Sequence, residues 1–291
     1  YVAPAVAKAA MDSGVAKNPI QDWDAYEHEL KTRLGLDTKL IRDLTLKAQS
    51  NPKKVVFAEA DNYKILKAAQ FAADENIAFP ILLGEREKIE SMIEEYALDF
   101  NDYEIIDPKC DEEKERREKF GHAFFEKRKR KGVTEFESIQ IMRERNHFGA
   151  MMVEMGEADA MISGLTRNYR DVVRPALKTV GTQKDVSIVS GLYILMTKRG
   201  PLFLADTTLN MDPTTEQIAE ITNNVAKTIR KFKVVPKIAL LSYSNFGSSP
   251  GKDADKMSEA VKILHAKYPS LAVDGELQAN FALNSELMNE K

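Results

Sequence analysis

Up to about residue 51 the apolar positions recur only at helical spacing. An Ala-rich stretch runs to Met11, Asp12-Ser13-Gly14 interrupts it, and a new start near Asn18-Pro19 precedes Trp23, Tyr26 and Leu30. At Lys53 the pattern changes. Val55-Val56-Phe57-Ala58 is a short apolar β-run, Ile65, Leu66, Ala68, Ala69 and Ala72 follow at helical spacing, and Pro80-Ile81-Leu82-Leu83-Gly84 is a second strand, which together make a β-α-β unit. The alternation continues with a strand from Tyr103 to Asp107, a long charged helix from Glu112 to Lys131, a helix around Ser138 to Gly156 and a strand from Ala158 to Gly164.

Repeated strand and helix runs predict a mainly parallel sheet with helices on both faces. Val186 to Thr197 and Pro201 to Thr207 read as apolar strands joined by the tight Lys198-Arg199-Gly200 turn, so an antiparallel hairpin interrupts the parallel order. Helices from Thr214 to Lys233 and from Asp253 to Tyr268 bracket a strand from Ile238 to Ser242, and Leu271 to Asp274 is the last strand candidate. The division expected is a helical linker over 1–37, one α/β lobe over 38–180 and a second over 181–291. No initiator Met precedes Tyr1, and the chain stops soon after a strand, so it reads as a piece cut from a longer polypeptide.

The 291 residues amount to about two domains, enough to bury a core without disulfides or metals. Lys and Arg total 42 against 45 Asp and Glu, a net charge of -3. No whole-molecule field therefore draws in nucleic acid or an anionic membrane, and an anionic ligand has to be captured locally. The longest apolar candidate, Val186 to Met196, is broken by Ser187, Ser190 and Gly191, short of the ~18 residues of a spanning helix. The single cysteine, Cys110, suits a reducing compartment and reads as an inert thiol beside Asp111-Glu112-Glu113, which makes the cytoplasm the expected location. The histidines at 28, 122, 147 and 265 are scattered without zinc-ligand spacing, so no metal site is expected.

Three segments carry candidate chemistry. Ser242 to Lys252 follows a strand and precedes a helix, where small residues let backbone N–H groups and the hydroxyls of Ser242, Ser244, Ser248 and Ser249 approach a phosphate. It is not a P-loop: three residues separate Gly247 from Gly251 rather than four, and Asp253 follows Lys252. A ligand-facing loop and an ordinary β-α turn both remain open. Lys127 to Lys131 is the densest basic run, but acidic residues interleave with it, the pattern of a solvated helix face with one Arg turned inward near its end. Arg167, Arg170 and Arg174 follow the strand ending near Gly164 and offer planar forks for phosphate or carboxylate, with plain surface arginines as the equal alternative.

From about Leu40 onward the chain resembles the phosphate acetyltransferase and butyryltransferase family. The matching blocks are Phe57-Ala58-Glu59-Ala60-Asp61 with Leu66-Lys67-Ala68-Ala69, Arg128 to Gly132, Ala158 to Gly164 with Arg174-Pro175-Ala176-Leu177, Ala205-Asp206, Leu240 to Ser244, and Asp274 to Gln278. Residues 1 to about 35, especially Val2 to Met11 and Gly14-Val15-Ala16, are similar to the tail of a bacterial malic enzyme catalytic region. The resemblance implies two α/β lobes with a cleft between them, an isocitrate dehydrogenase-like architecture, the second lobe incomplete. It also implies a site for acetyl-CoA or a related CoA ester. Two of the family's site arginines fall on Arg128 and Arg174. A third falls on Lys64, which replaces a bidentate fork with a point charge, and a family Ser falls on Asn168. The family's base Asp and its Ser-Arg pair are matched by no residue up to Lys291.

General-base catalysis contributes ~10²–10⁴-fold, so these departures imply little transfer chemistry and no catalytic residue in this chain. Binding survives such changes better than turnover. The ligand-binding set implied for acetyl-CoA or phosphate is Lys64, Arg128, Arg167, Asn168, Arg174, Ser242, Ser244, Ser248 and Ser249. The role implied is a regulatory, acetyl-CoA-sensing and oligomerising region of an NADP-dependent malic enzyme. Its NADP and divalent Mg or Mn would sit in a malate-oxidising part outside this chain. A working phosphate acetyltransferase is the alternative.

Overall fold

The computed structural model describes residues 2–23, 26, 30, 36–100, 102–197 and 199–289. The expected second N-terminal helix and His28 fall largely or wholly outside these, as does Lys198 of the hairpin turn. Two compact units are present, one of residues 44–184 and one of residues 1–43 with 185–291. They are referred to below as the first and second α/β units. N-terminal helix α1 spans Val2–Asp12 and α2 spans Leu36–Gln49.

In the first unit the order is β1 (Lys53–Phe57), α3 (Tyr63–Asp74), β2 (Ala78–Leu83), α4 (Arg86–Glu95), β3 (Glu104–Ile106), α5 (Lys114–Arg128), α6 (Glu135–Ile141), α7 (Arg145–Glu154), β4 (Ala160–Ile162) and α8 (Tyr169–Thr179). The strands form one parallel sheet in the order β3-β2-β1-β4. Because successive strand residues point to opposite faces, Val56, Ile81, Leu83 and Ile106 enter one core with Phe120, Phe124 and Phe148. Phe57, Leu82 and Ile105 enter another core with Leu66, Ala69 and Ile89. A sheet covered on both faces explains the continuous apolar runs of β1 and β2.

The expected helix over 138–156 is two. Thr134 and Glu137 form a capping box that starts α6, and the Glu144 carboxylate accepts from the His147 amide at 3.0 Å and starts α7. A side chain that satisfies free N–H groups at residue 144 makes a second helix start there rather than a continuous helix. Helix α4 was not expected from the pattern.

The second unit continues with β5 (Leu192–Thr197), β6 (Gly200–Ala205), α9 (Thr215–Lys231), β7 (Lys237–Leu241), α10 (Lys252–Lys267), β8 (Ala272–Leu277), α11 (Ala279–Leu283) and α12 (Ser285–Asn289). Strands β5 and β6 form the expected antiparallel hairpin, as a separate two-stranded sheet. Strands β7 and β8 form a parallel pair. Strand β5 begins later than expected because the Ser187 amide and hydroxyl bond to Glu220 and the Gly191 amide bonds to Asp206, so side chains occupy the backbone before Leu192. The core of this unit joins Ile218, Ala219 and Ala226 of α9 to Leu240, Val273 and the α10 residues Ala260, Val261 and Leu264.

Candidate functional site

In the first unit, β1 lies between β2 and β4. The chain leaves β1 toward β2 and β3 on one side and returns to β4 on the other. The carboxyl ends of β1 and β4 therefore flank the topological switch point of the sheet, where ligands bind in open α/β folds. Lys64 and the segment of Arg167 to Arg174 lie there. Lys64 is exposed in the first turn of α3, its amide capped by the Asn62 side chain at 3.0 Å. Arg167 and Asn168 lie in the turn between β4 and α8, and Arg174 lies on α8, all exposed.

A carboxylate that sequence reasoning did not single out builds this edge. Glu59, 4% exposed just beyond β1, accepts from the amides of Gly164 and Leu165, each at 2.7 Å, from the Thr166 amide at 2.9 Å, and from the Thr166 hydroxyl. Burial alone would raise the Glu59 carboxyl; the Thr166 hydroxyl and three amides outweigh it and hold it below the usual glutamate range. The turn carrying Arg167 and Asn168 is thus pinned to β1. Asp61 is held in the same way by Arg145, whose fork reaches its two oxygens at 2.6 and 3.2 Å, with Lys88 at 3.4 Å. Burial pushes Asp61 up, and these cations pull it below its ordinary value. Ser163 donates to Asn146 at 2.8 Å, and Asn146 donates to the Asp171 carbonyl at 3.2 Å, which joins β4, α7 and α8. The signal was present in Glu59-Ala60-Asp61, two acids directly after an apolar strand, but sequence alone supplied no partners for them.

Arg128 closes α5 and is half-buried, its Nε enclosed without a hydrogen-bond partner. Neighbouring Lys127 donates to the Thr179 carbonyl at 2.9 Å and pairs with Glu154, which ties the end of α5 to the end of α8, the helix of Arg174. The rest of the basic run, Lys129 to Lys131, is exposed, with Lys129 paired to Glu126, as a solvated helix end should be. Arg167, Arg170 and Arg174 make no ion pair among the described residues, so their forks are free to meet an anion.

The serine loop belongs to the second unit, after β7. Here too a buried carboxylate on the adjacent strand holds the loop. Glu276 in β8, 3% exposed, accepts from the Ser244 hydroxyl at 3.1 Å and the Gly247 amide at 2.6 Å, while its carbonyl accepts from the Phe246 amide at 2.9 Å. Ser244 is fully buried and also accepts from the Ser249 amide at 3.1 Å; the Ser248 hydroxyl accepts from the Asn245 amide at 3.0 Å. Ser244 and Ser248 thus shape the loop. Ser242 is half-buried and Ser249 exposed. A polar cavity of about 410 Å³ lies against this loop and the start of α10, lined by Gly247, Ser249, Asp255, Ser258 and Glu276. The first-unit and second-unit candidates are therefore positioned by the same device, a buried glutamate beyond or within one strand that collects the amides of the loop after its parallel neighbour. No group of three or more His, Cys, Asp or Glu that could hold a metal is found among the described residues.

Comparison with known proteins places this geometry in a family. The model of the phosphate acetyl/butaryl transferase family matches residues 39–291. The NADP-dependent malic enzyme of Salmonella typhimurium is 37% identical over 295 residues, covering 100% of this chain and 38% of the enzyme, so the chain spans under two-fifths of that relative. The phosphate acetyltransferase of Clostridium acetobutylicum is 35% identical over 255 residues, covering 85% of this chain and 76% of that protein. Among solved structures, the EutD phosphotransacetylase from Staphylococcus aureus matches with a TM-score of 0.75 at 31% identity, over 88% of this chain and 77% of its own. With a parallel sheet whose switch point carries the matching blocks, and a family model that spans all but the N-terminal residues, the chain belongs to the phosphate acetyl/butaryl transferase family.

Proposed function

We propose that this chain is the phosphotransacetylase-like region of a malic enzyme and that it acts there as an acetyl-CoA-sensing, oligomerising unit rather than as a transferase. One observation carries the reading. The match to the Salmonella malic enzyme extends over the whole chain, including the N-terminal residues before position 39, whereas the family model begins at 39 and the Clostridium transferase covers 85%. Lys64 and Asn168 support it, because a point charge and an amide stand where the family resemblance places a planar fork and a hydroxyl. In this reading the anionic part of a CoA ester is held by Arg128, Arg167 and Arg174, and malate oxidation with NADP and a divalent metal takes place elsewhere in the longer cytoplasmic protein. Assay of acetyl phosphate formation from acetyl-CoA and phosphate in the full-length protein, alongside equilibrium binding of acetyl-CoA, tests it. Binding without turnover is the expected result; turnover at rates typical of enzymes, ~1–10³ s⁻¹, overturns it in favour of an active phosphate acetyltransferase.

A further inference from the structure

The loop after β3 lies beyond the carboxyl end of the edge strand of the first unit, with β2 between β3 and the switch-point strand β1. Two arginines hold it. Arg117 Nη1 donates to the carbonyls of Pro108, at 3.0 Å, and of Cys110, and Arg143 Nη2 donates to that of Lys109 at 3.1 Å. Arg117, on α5, is 5% exposed and pairs with no carboxylate among the described residues. A buried guanidinium without a counter-charge is costly, and two carbonyl dipoles on one of its nitrogens offset only part of that cost. Its Nε and Nη2 make no hydrogen bond among the described residues, and neither is enclosed. They are therefore open to the cavity of about 320 Å³ that Arg117 lines between the start of α5 and the end of α6, large enough for a small metabolite.

The cavity is also lined by Lys114 and Arg143, both exposed, by the exposed acids Asp111 and Glu118, and by Gln140. None of these five charged side chains makes an ion pair among the described residues. Three cations stand against two anions, which leaves the lining with a net charge of +1. Helix α5 opens here with no side-chain cap, so its dipole adds to the positive side.

We propose that this cavity binds a small monocarboxylate that also carries a hydroxyl or ammonium group. A planar carboxylate matches the free arms of the Arg117 and Arg143 forks and supplies the counter-charge that Arg117 lacks. The hydroxyl or ammonium group donates to Asp111 or Glu118. The same two acids repel a second negative charge, so a phosphate group, with about −1.5 to −2 charges at pH 7, is disfavoured. The cavity shares no residue with the set implied for acetyl-CoA, and the proposal holds whether or not that reading does.

Methyl NMR of the full-length protein with ¹³C-labelled isoleucine tests it. Ile139 lines the cavity, and Ile162, at the end of β4, reports on the switch point instead. The probes are lactate, alanine and inorganic phosphate, each against sodium chloride at equal ionic strength. Lactate or alanine should shift the Ile139 methyl with half-saturation at about 1 mM, the order that ligands of this size reach, and leave Ile162 in place. Lactate alone identifies the donor as a hydroxyl, alanine alone as an ammonium, and either supports the site. Arg117→Gln and Arg143→Gln should each raise the half-saturation point by about tenfold or more, since each removes a charged hydrogen-bond donor. Arg143 is exposed, so its variant keeps the test valid if Arg117→Gln fails to fold. An Ile139 methyl indifferent to lactate and alanine, a response to phosphate alone, a shift at Ile162 without one at Ile139, or half-saturation unchanged in the folded variants each overturns the proposal.

Discussion

Replacing Glu59 with glutamine removes one charge and turns one acceptor oxygen into a donor. In the native site one oxygen of Glu59 accepts two amides at 2.7 Å and the other accepts the Thr166 amide and hydroxyl. Whichever way the Glu59→Gln amide is turned, its NH₂ faces N–H donors, so at least one backbone donor in this part-buried turn loses its partner, and the remaining bonds lose the charge. A hydrogen bond to a charged group contributes ~1.5–3 kcal/mol and a buried unsatisfied group costs ~1–3 kcal/mol. The turn from Gly164 to Thr166 should therefore be destabilised by about 3 kcal/mol, which is roughly a 10²-fold rise in local opening. Hydrogen exchange of the Gly164, Leu165 and Thr166 amides measures this directly, and a urea titration measures the effect on the first unit. The Ser163 to Asn146 bond beside the turn should weaken with it. Exchange in Glu59→Gln within about threefold of the parent would refute the idea that this carboxylate holds the turn.

Three further outcomes follow from the same geometry. Glu59, Asp61, Asp206 and Glu276 are all held below their ordinary values, since hydrogen bonds and cations outweigh the upward push of burial. Their stabilisation is therefore full above the unfolded values, 3.8 for aspartate and 4.5 for glutamate, and lost as pH falls through the lower folded values; denaturation midpoints should be flat at neutral pH and drop only in acid. Gly121→Ala would put a Cβ 2.6 Å from Ile139 Cγ1 and 2.7 Å from its Cα, forcing α5 and α6 apart at a cost of about 1–3 kcal/mol, which a melting curve will register. Arg145→Lys keeps the charge but loses the two-pronged contact to Asp61 at 2.6 and 3.2 Å, for a loss of about 1–2 kcal/mol in the same assay.

Periodicity made the strands of the parallel sheet legible, because Val56-Phe57 and Ile81-Leu82-Leu83 are buried on both faces and so carry no polar interruption. The hairpin was legible for a different reason, the short turn between two apolar runs. Element boundaries were not, where side chains far away in sequence decide them: Glu220 and Asp206 delay β5, and Glu144 starts a helix in what reads as the middle of one. In the candidate site the cationic residues stood out by type, and the family resemblance singled out Lys64, Arg128 and Arg174 among them. Glu59 and Glu276 did not stand out, because a carboxylate's role here depends on which amides it meets, 105 residues away at Gly164 for Glu59 and 29 residues away at Gly247 for Glu276. For Ser244 the sequence offered a hydroxyl in a polar loop, and the structure adds its partners, Glu276 in β8 to which it donates and the Ser249 amide from which it accepts.

The central claim is that a CoA ester bound to this region alters malate oxidation elsewhere in the longer protein. An effector that weakens substrate binding 10-fold corresponds to a coupling of about 1.4 kcal/mol, and malate or NADP must then weaken acetyl-CoA binding by the same factor. The most direct test is malate-dependent NADP reduction by the full-length protein titrated with acetyl-CoA, in the parent, Arg174→Ala and Arg128→Ala. The account predicts inhibition of the parent, loss of that inhibition in Arg174→Ala, and nearly unchanged activity of Arg174→Ala without effector. A parent indifferent to acetyl-CoA, or two variants that both stay fully sensitive to it, would contradict it.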